Sequence, residues 1–347
     1  MLADFLKEEL GALHPGVEVV CYDVSGGIGQ IVGIWEGFIT ALRKGRFSEQ
    51  IWDEVKRVEP DGVILISFPG VNLILGKRFR SSGIPVIYLA PPQVWAWGRF
   101  RMGLLRKAAD RIICLFRFEQ EFFKRFGVKA RYYGYPLLNK VFCKRSKEET
   151  LRHIGFKPKT KYIAFLPGSR PVEIEYHERL FVKVFALLRR RYPEFKGVMV
   201  AQGTRRLPEG LIRVNEKGRY EVIGYAQAVV VVSGTATAET AILGVPMVVC
   251  YHLPPLSRFV ARLLIRLRYF SIPNLVAGEQ IVPEFIEPEV GDIYDSLCRL
   301  IDDENYRGQM IEGLNKVRGL FGPSGALDAI AKDILNFLTT HRGQVEH

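Results

Sequence analysis

The 347-residue chain is 48% hydrophobic and 25% charged, a globular composition on a chain too long for one ordinary core, so two domains are expected. A formal charge of +12 points to an anionic partner: nucleic acid, a phosphorylated metabolite or an acidic membrane surface. Five scattered cysteines without a CxxC pair, and six histidines without an HExxH cluster, exclude a disulfide framework and a patterned zinc site.

The N-terminal MLADFLKEEL is an acidic amphipathic helix pattern and not a signal peptide, and no apolar run is long enough to span a bilayer. A cytoplasmic protein is expected, touching a membrane. Leu2–Leu13 reads as helix, Val17–Tyr22 as a short β-rich run, and Gly26–Gly29 as a glycine-rich loop before a helix at Ile31–Lys44. Helix is expected again at Phe47–Val58, then apolar strands at Gly62–Ile66, Pro85–Leu89 and Arg111–Leu115, the last followed by a helix at Glu119–Arg125. The charged stretch Lys140–Lys161, with Gly155 and Pro158, reads as a linker. Beyond it the alternation restarts: strand Tyr162–Leu166, helix Tyr176–Arg191, strands Gly197–Ala201 and Val229–Val232, helix Ala236–Leu243 and strand Pro246–Tyr251. Strands that are apolar throughout, between amphipathic helices, imply α/β domains with parallel sheets covered on both faces. The division expected is 1–145, 156–325, and a C-terminal helix and tail at 326–347.

Ligands of such sheets sit beyond the carboxyl ends of the strands, so the loops there are where chemistry is sought. In LPGSRPVEIE, Gly168 tolerates positive φ, Ser169 is a preferred N-cap, the helix start is an anion site, and Arg170 suits phosphate. Glu173, in the same stretch, is a further candidate on the substrate side. A plain turn with a solvated arginine is the alternative. In VVVVSGTATAE, Ser233, Gly234 and Thr235 make a second small-residue turn, with Ala236 and Thr237 opening the helix. Glu239 falls one turn in, placed to accept from ribose hydroxyls or, on the plainer reading, simply exposed. Neither loop is a Walker A, and Gly26-Gly27-Ile28-Gly29 is only a partial GxGxxG. In PPQVWAW, Trp95 and Trp97 offer stacking platforms or pack in a loop. Arg258, Arg262 and Arg266 share one helical face beside Phe259, a basic amphipathic stripe suited to an acidic lipid surface or to snorkelling over the protein. No nucleic-acid module is recognised.

Taken together, PPQVWAW, FLPGSRPVEIE, SGTATAETAILGVPMVV and YFSIPNLVAGEQIVPEFI, in this order, resemble lipid-A-disaccharide synthase, a glycosyltransferase family of the GT-B architecture. The resemblance covers roughly Met1 to Gly325. It implies two Rossmann-like doubly wound domains facing a cleft. It implies transfer, with inversion, of 2,3-diacylglucosamine from UDP-2,3-diacylglucosamine to 2,3-diacylglucosamine 1-phosphate, without a metal or other cofactor. It further implies a peripheral protein of the inner membrane of Gram-negative bacteria, and dimers with exchanged C-terminal segments. On the nucleotide side the matching residues are Gly168, Ser169, Arg170, Glu173, Ser233, Gly234, Thr235, Ala236, Thr237, Glu239 and Asn274, with Arg170 the functionally important arginine.

The departures lie on the acceptor side. The family usually opens with a strand and a GExSGD turn, whereas Met1 falls where the following helix starts, which implies a misplaced start or an absent strand. Ser67 and Gly70 stand where the IDxPDFN loop has carboxylates, and the GHP turn is Gly134-Tyr135-Pro136. A general base is therefore not identified; Tyr88, Tyr135 and Glu119 are the stand-ins considered. A non-catalytic UDP-sugar or lipid-binding paralogue, and a GT-B enzyme with another acceptor, are the alternatives.

Overall fold

The computed structural model describes residues 2–22, 48–94, 102–252 and 268–345. The described residues form two compact units, one from Met1–Leu138 with Gly322–His347, the other from Asn139–Leu253 with Leu267–Phe321. Among the described residues no helix is long and apolar enough to cross a membrane.

In the first unit, helix α1 (Leu2–Leu13) precedes a second helix at 48–57 (α2). Strands β1 (Val63–Ile66), β2 (Val86–Leu89), β3 (Arg111–Cys114) and β4 (Ala130–Tyr132) follow, with α3 (Pro69–Ser81), α4 (Met102–Ala108) and α5 (Arg117–Arg125) between them. The strands lie in chain order, all parallel. Alternation along the strands splits the core in two. Val86, Tyr88, Ile112 and Cys114 pack on one face with Trp52, Leu75, Phe79, Leu105 and Phe123. Ile87, Leu89 and Ile113 pack on the other with Leu6, Leu10, Ile330, Ala331 and Ile334. Covering both faces is why β2 and β3 carry apolar residues at successive positions. Val17–Tyr22, expected to be β-rich extended chain, joins no strand.

The C-terminal helix is not a separate tail. It runs over Ala326–Val345, as α13 in the numbering used here, and supplies Ile330, Ala331 and Ile334 to the core of the first unit. Asp333, on the same helix, accepts from Arg111 of β3 and Arg131 of β4, each at 2.5 Å.

The second unit begins earlier than the composition suggested. The stretch read as a linker holds helix α6 (Lys147–His153), closed by a capping box in which Ser146 and Glu149 exchange side-chain-to-backbone hydrogen bonds. Its sheet contains β5 (Tyr162–Leu166), β6 (Lys196–Val200), β7 (Leu211–Val214), β8 (Ala228–Val232), β9 (Met247–Tyr251) and β10 (Glu284–Ile286). The connecting helices are α7 (Pro171–Arg191), α8 (Arg219–Gly224), α9 (Thr235–Ile242) and α10 (Ile272–Ala277), with α11 (Val290–Asp302) and α12 (Glu304–Leu320) after the last strand. The order is β10-β9-β8-β5-β6-β7, every pair parallel. The chain winds outward from β5 through β6 and β7, then returns to the other side of β5 as β8. The loops leaving β5 and β8 therefore diverge, which opens a crevice at the topological switch point.

Candidate functional site

The two loops singled out in the sequence are those at the switch point. Leu166 ends β5, and Pro167–Arg170 lead into α7. Gly168 has φ 108°, and a Cβ there would lie 2.9 Å from Glu173 Oε2 and 3.0 Å from Glu173 Cβ, so only glycine fits without displacement. The N-cap of α7 is Arg170 rather than Ser169, with Pro171 at the first helical position. The helix therefore begins five residues before the expected Tyr176. Its 21 residues aim their first free amides and the positive end of the dipole at this turn. Arg170 is half exposed, and its guanidinium lies 3.2 Å from the Glu173 carboxylate. A bound anion therefore competes with Glu173 for Arg170.

The turn after β8 is open in a different way. A Cβ on Gly234 would meet nothing within 4 Å, and Gly234 and Thr235 are exposed. Thr237 donates its hydroxyl to the Gly234 carbonyl at 2.7 Å, fixing the first turn of α9. Ser233 donates to the Phe270 carbonyl at 3.2 Å, which ties this turn to the segment leading into α10.

Three of the expected ligand residues are buried: Thr237, Glu239 and Asn274. Glu239 is 1% exposed and meets the Arg219 guanidinium at 2.5 Å, so it is neither an exposed helix residue nor open to the turn. Burial pushes its carboxyl upward, and Arg219 pulls it back. Its second oxygen is buried without a hydrogen-bond partner. Asn274 is fully buried, and its amide is fully used. Nδ2 donates to the Val282 carbonyl and to Glu284, and Oδ1 accepts from the Ile281 and Val282 amides. Glu284 also accepts from the Phe270 and Ser271 amides. Asn274 thus shapes the loop that Ser233 touches and has no polar valence left for a ligand.

Several residues at this edge carried no sequence signal. Arg219 meets Glu239 across 20 positions, a separation that no helical or strand period links. His177 is 1% exposed; burial lowers it to about 4, so its ring is neutral at physiological pH. Its Nδ1 sits 2.8 Å from the Glu173 carbonyl, and Nε2 has no partner. Tyr176 stacks on His252, which lies 2.8 Å from Glu287.

The first unit has its own pocket at the carboxyl ends of β1, β2 and β3, of about 280 Å³. Ser67, Phe68 and Pro69 line it from the loop after β1, Pro91 and Gln93 from the loop after β2, and Phe116 and Glu119 from the start of α5. Gly70 is the second residue of α3. Of the stand-ins for a base, Tyr88 is fully buried, burial drives its phenol well above the ordinary tyrosine value, and its hydroxyl donates to the Ser67 carbonyl at 2.7 Å. It acts as a donor, not a base. Tyr135 is buried and stacked on Phe116. Glu119 is 3% exposed and caps α5, accepting from the Leu115 and Phe116 amides at 3.0 and 3.2 Å. Trp95, Trp97, Arg258, Phe259, Arg262 and Arg266, the glycine-rich loop and the helix expected at Ile31–Lys44 lie outside the described residues.

A family model described as lipid-A-disaccharide synthetase matches residues 28–303, across both units. The chain belongs to the lipid-A-disaccharide synthase family. The lipid-A-disaccharide synthase of Syntrophotalea carbinolica is 30% identical over 331 residues, 92% of this chain and 82% of the relative. That of Geobacter sulfurreducens is 33% identical over 292 residues, 80% of this chain and 76% of the relative. Membership of the lipid-A-disaccharide synthase family makes the chain a hexosyltransferase of lipid A biosynthesis. Solved structures carry the fold. A UDP-GlcNAc 2-epimerase from Neisseria meningitidis bound to UDP-GlcNAc superposes with TM-score 0.64 at 13% identity, over 95% of this chain and 89% of the other. The UDP co-structure of S. aureus MnaA gives TM-score 0.66 at 12% identity, over 97% and 94%. Two Rossmann-like domains, as the motifs implied, are the architecture shared.

Proposed function

We propose that this chain transfers 2,3-diacylglucosamine from UDP-2,3-diacylglucosamine to 2,3-diacylglucosamine 1-phosphate, releasing UDP and the disaccharide 1-phosphate. The observation that carries this is the pair of loops at the switch point of the second sheet. Gly168–Arg170 and Ser233–Thr235 each lead into a helix whose first amides are free of intrahelical acceptors. Departing UDP gains negative charge as the glycosidic bond breaks. Two helix N-termini and the Arg170 guanidinium stabilise that charge with dipoles already in place. Glu173 releases Arg170 to the diphosphate as UDP enters. The neighbours solved with UDP-GlcNAc and with UDP support a uridine nucleotide as the ligand.

Glu239, buried against Arg219, acts on the nucleotide only indirectly, by holding the first turns of α9, and Asn274 acts by holding the α10 loop. The acceptor sugar enters the pocket beside Ser67 and Phe68, whose apolar walls suit an acylated sugar. The stripe of Arg258, Arg262 and Arg266 beside Phe259, with the net charge of +12, supports a peripheral seat on an anionic inner-membrane surface. Trp95 and Trp97 belong to that lipid-facing set, and a homodimer with exchanged C-terminal segments is the assembly inferred from the family.

The test is transfer itself: the purified chain with UDP-2,3-diacylglucosamine and labelled 2,3-diacylglucosamine 1-phosphate. The labelled disaccharide is the expected product. Folded protein that binds UDP and yields no disaccharide overturns the reading in favour of a binding paralogue; turnover with a different acceptor replaces the acceptor named here.

A further inference from the structure

Backbone strain in the first unit is concentrated around its pocket. Ser67, Phe68 and Ala90 have φ of 53°, 44° and 55°, and all three line the pocket. They are half of the six non-glycine residues with positive φ among the described residues. Glycine relieves this conformation at no steric cost, yet the sequence places a hydroxymethyl, a benzyl and a methyl group there. Strain of this kind persists only where neighbours over-determine it, and it clusters at ligand sites.

The neighbours are Asn72 and Tyr88. The Asn72 amide, 2% exposed, donates to the Ile66 carbonyl at 3.2 Å and to the Ser67 carbonyl at 2.9 Å. The Tyr88 hydroxyl, from inside β2, donates to the same Ser67 carbonyl at 2.7 Å. The Ser67 amide continues the ladder, donating to Leu89 at 3.1 Å. Both lone pairs of the Ser67 carbonyl are thus engaged, and the Ser67–Phe68 peptide plane is held in one orientation.

We propose that Asn72 and Tyr88 are positioning residues for the acceptor: together they lock the Ser67–Phe68 turn in its left-handed form and so fix the wall of the pocket that the acceptor sugar meets. This rests on the function proposed above. Neither residue touches the acceptor. Burial keeps the Tyr88 phenol protonated, so the lock holds throughout the working pH range.

The experiment compares Tyr88→Phe, Asn72→Ala and Ser67→Gly with the parent. Tyr88→Phe removes one oxygen and keeps the ring in the core, so it remains informative even if Asn72→Ala folds poorly. Calorimetry reads binding of micellar 2,3-diacylglucosamine 1-phosphate and, separately, of UDP. Loss of one hydrogen bond predicts acceptor affinity weaker by about three- to tenfold with UDP affinity unchanged, and an acceptor KM that rises more than kcat falls. Ser67→Gly relieves the strain but keeps both hydrogen bonds to its backbone carbonyl, so Tm rises while acceptor binding is retained. Folded Tyr88→Phe and Asn72→Ala variants that bind the acceptor as the parent does, or a Ser67→Gly that loses acceptor binding as they do, overturn the proposal. A parent that binds both ligands but transfers nothing overturns the function above and leaves the binding comparison decisive. A parent that binds no acceptor overturns both.

Discussion

Arg219 and Glu239 meet at 2.5 Å with the carboxylate 1% and the guanidinium 23% exposed, a nearly buried ion pair beneath the loop that follows β8. Burial alone would drive Glu239 to take up a proton, and Arg219 opposes that.

Removing Arg219 while Glu239 remains is expected to cost about 3–5 kcal/mol, because a buried charge loses its partner. The pH dependence has a definite sign. A carboxyl held above its ordinary value keeps its proton longer in the folded than in the unfolded state, so stability falls as pH rises past the ordinary glutamate value. Arg219→Met raises Glu239 further and steepens that fall; Glu239→Gln abolishes it. Urea denaturation between about pH 4.5 and 7 reads both slopes, and parallel curves for all three proteins would refute the coupling.

The turn after β5 makes a sharper claim on the nucleotide. Arg170→Ala gives up a charge-assisted contact worth about 1.5–3 kcal/mol, so UDP affinity falls about ten- to a hundredfold. The lower end is expected, because Arg170 leaves Glu173 to reach the phosphate. Gly168→Ala forces a side chain to φ 108° and against Glu173 Cβ at 3.0 Å, which also weakens UDP. Titration calorimetry decides; an unchanged Kd in Arg170→Ala removes that residue from the site.

His177 carries the opposite pH signature. It titrates near 4 in the fold and near 6.5 when unfolded, so the unfolded chain binds the extra proton between those values. Its contribution is fully present above about pH 6.5 and declines by about 3 kcal/mol as pH falls towards 4. His177→Leu should lose this acid sensitivity. Thermal melts across the interval test it, and a mutant whose Tm drops as steeply as the parent's places the sensitivity elsewhere.

Asp333 anchors α13. Asp333→Ala strands Arg111, whose side chain is 19% exposed, and costs about 3–5 kcal/mol. Hydrogen exchange in residues 326–341 should quicken while α7 is unaffected, because the two helices belong to different units. Equal quickening in both would mean that the loss is global.

The fold was largely legible because parallel sheets covered on both faces write themselves as uninterrupted apolar runs. β2, β5, β8 and β9 are such runs, and α1 keeps the residues its periodicity marked, Leu2–Leu13. β4, β7 and β10 were missed: each is three or four residues long, carries charge and lies at or near a sheet edge, where one side needs no apolar cover. The supposed linker failed as a reading because a charged composition marks exposure, not absence of structure; Ser146 and Glu149 cap a short helix within it.

The sequence by itself determined which loops hold small residues ahead of a helix, and so where anions can be met, because glycine tolerance and helix ends are local properties. It also determined the family, through motifs whose order is a property of the chain. Tertiary structure alone decided what each polar side chain has left to offer. Asn274 is spent on its own loop, Glu239 on Arg219, Tyr88 on the Ser67 carbonyl, and α13 on the sheet of the first unit. The physical reason is desolvation: a buried polar group must find its partner wherever the fold brings one, and those partners lie from 7 to more than 200 residues away along the chain.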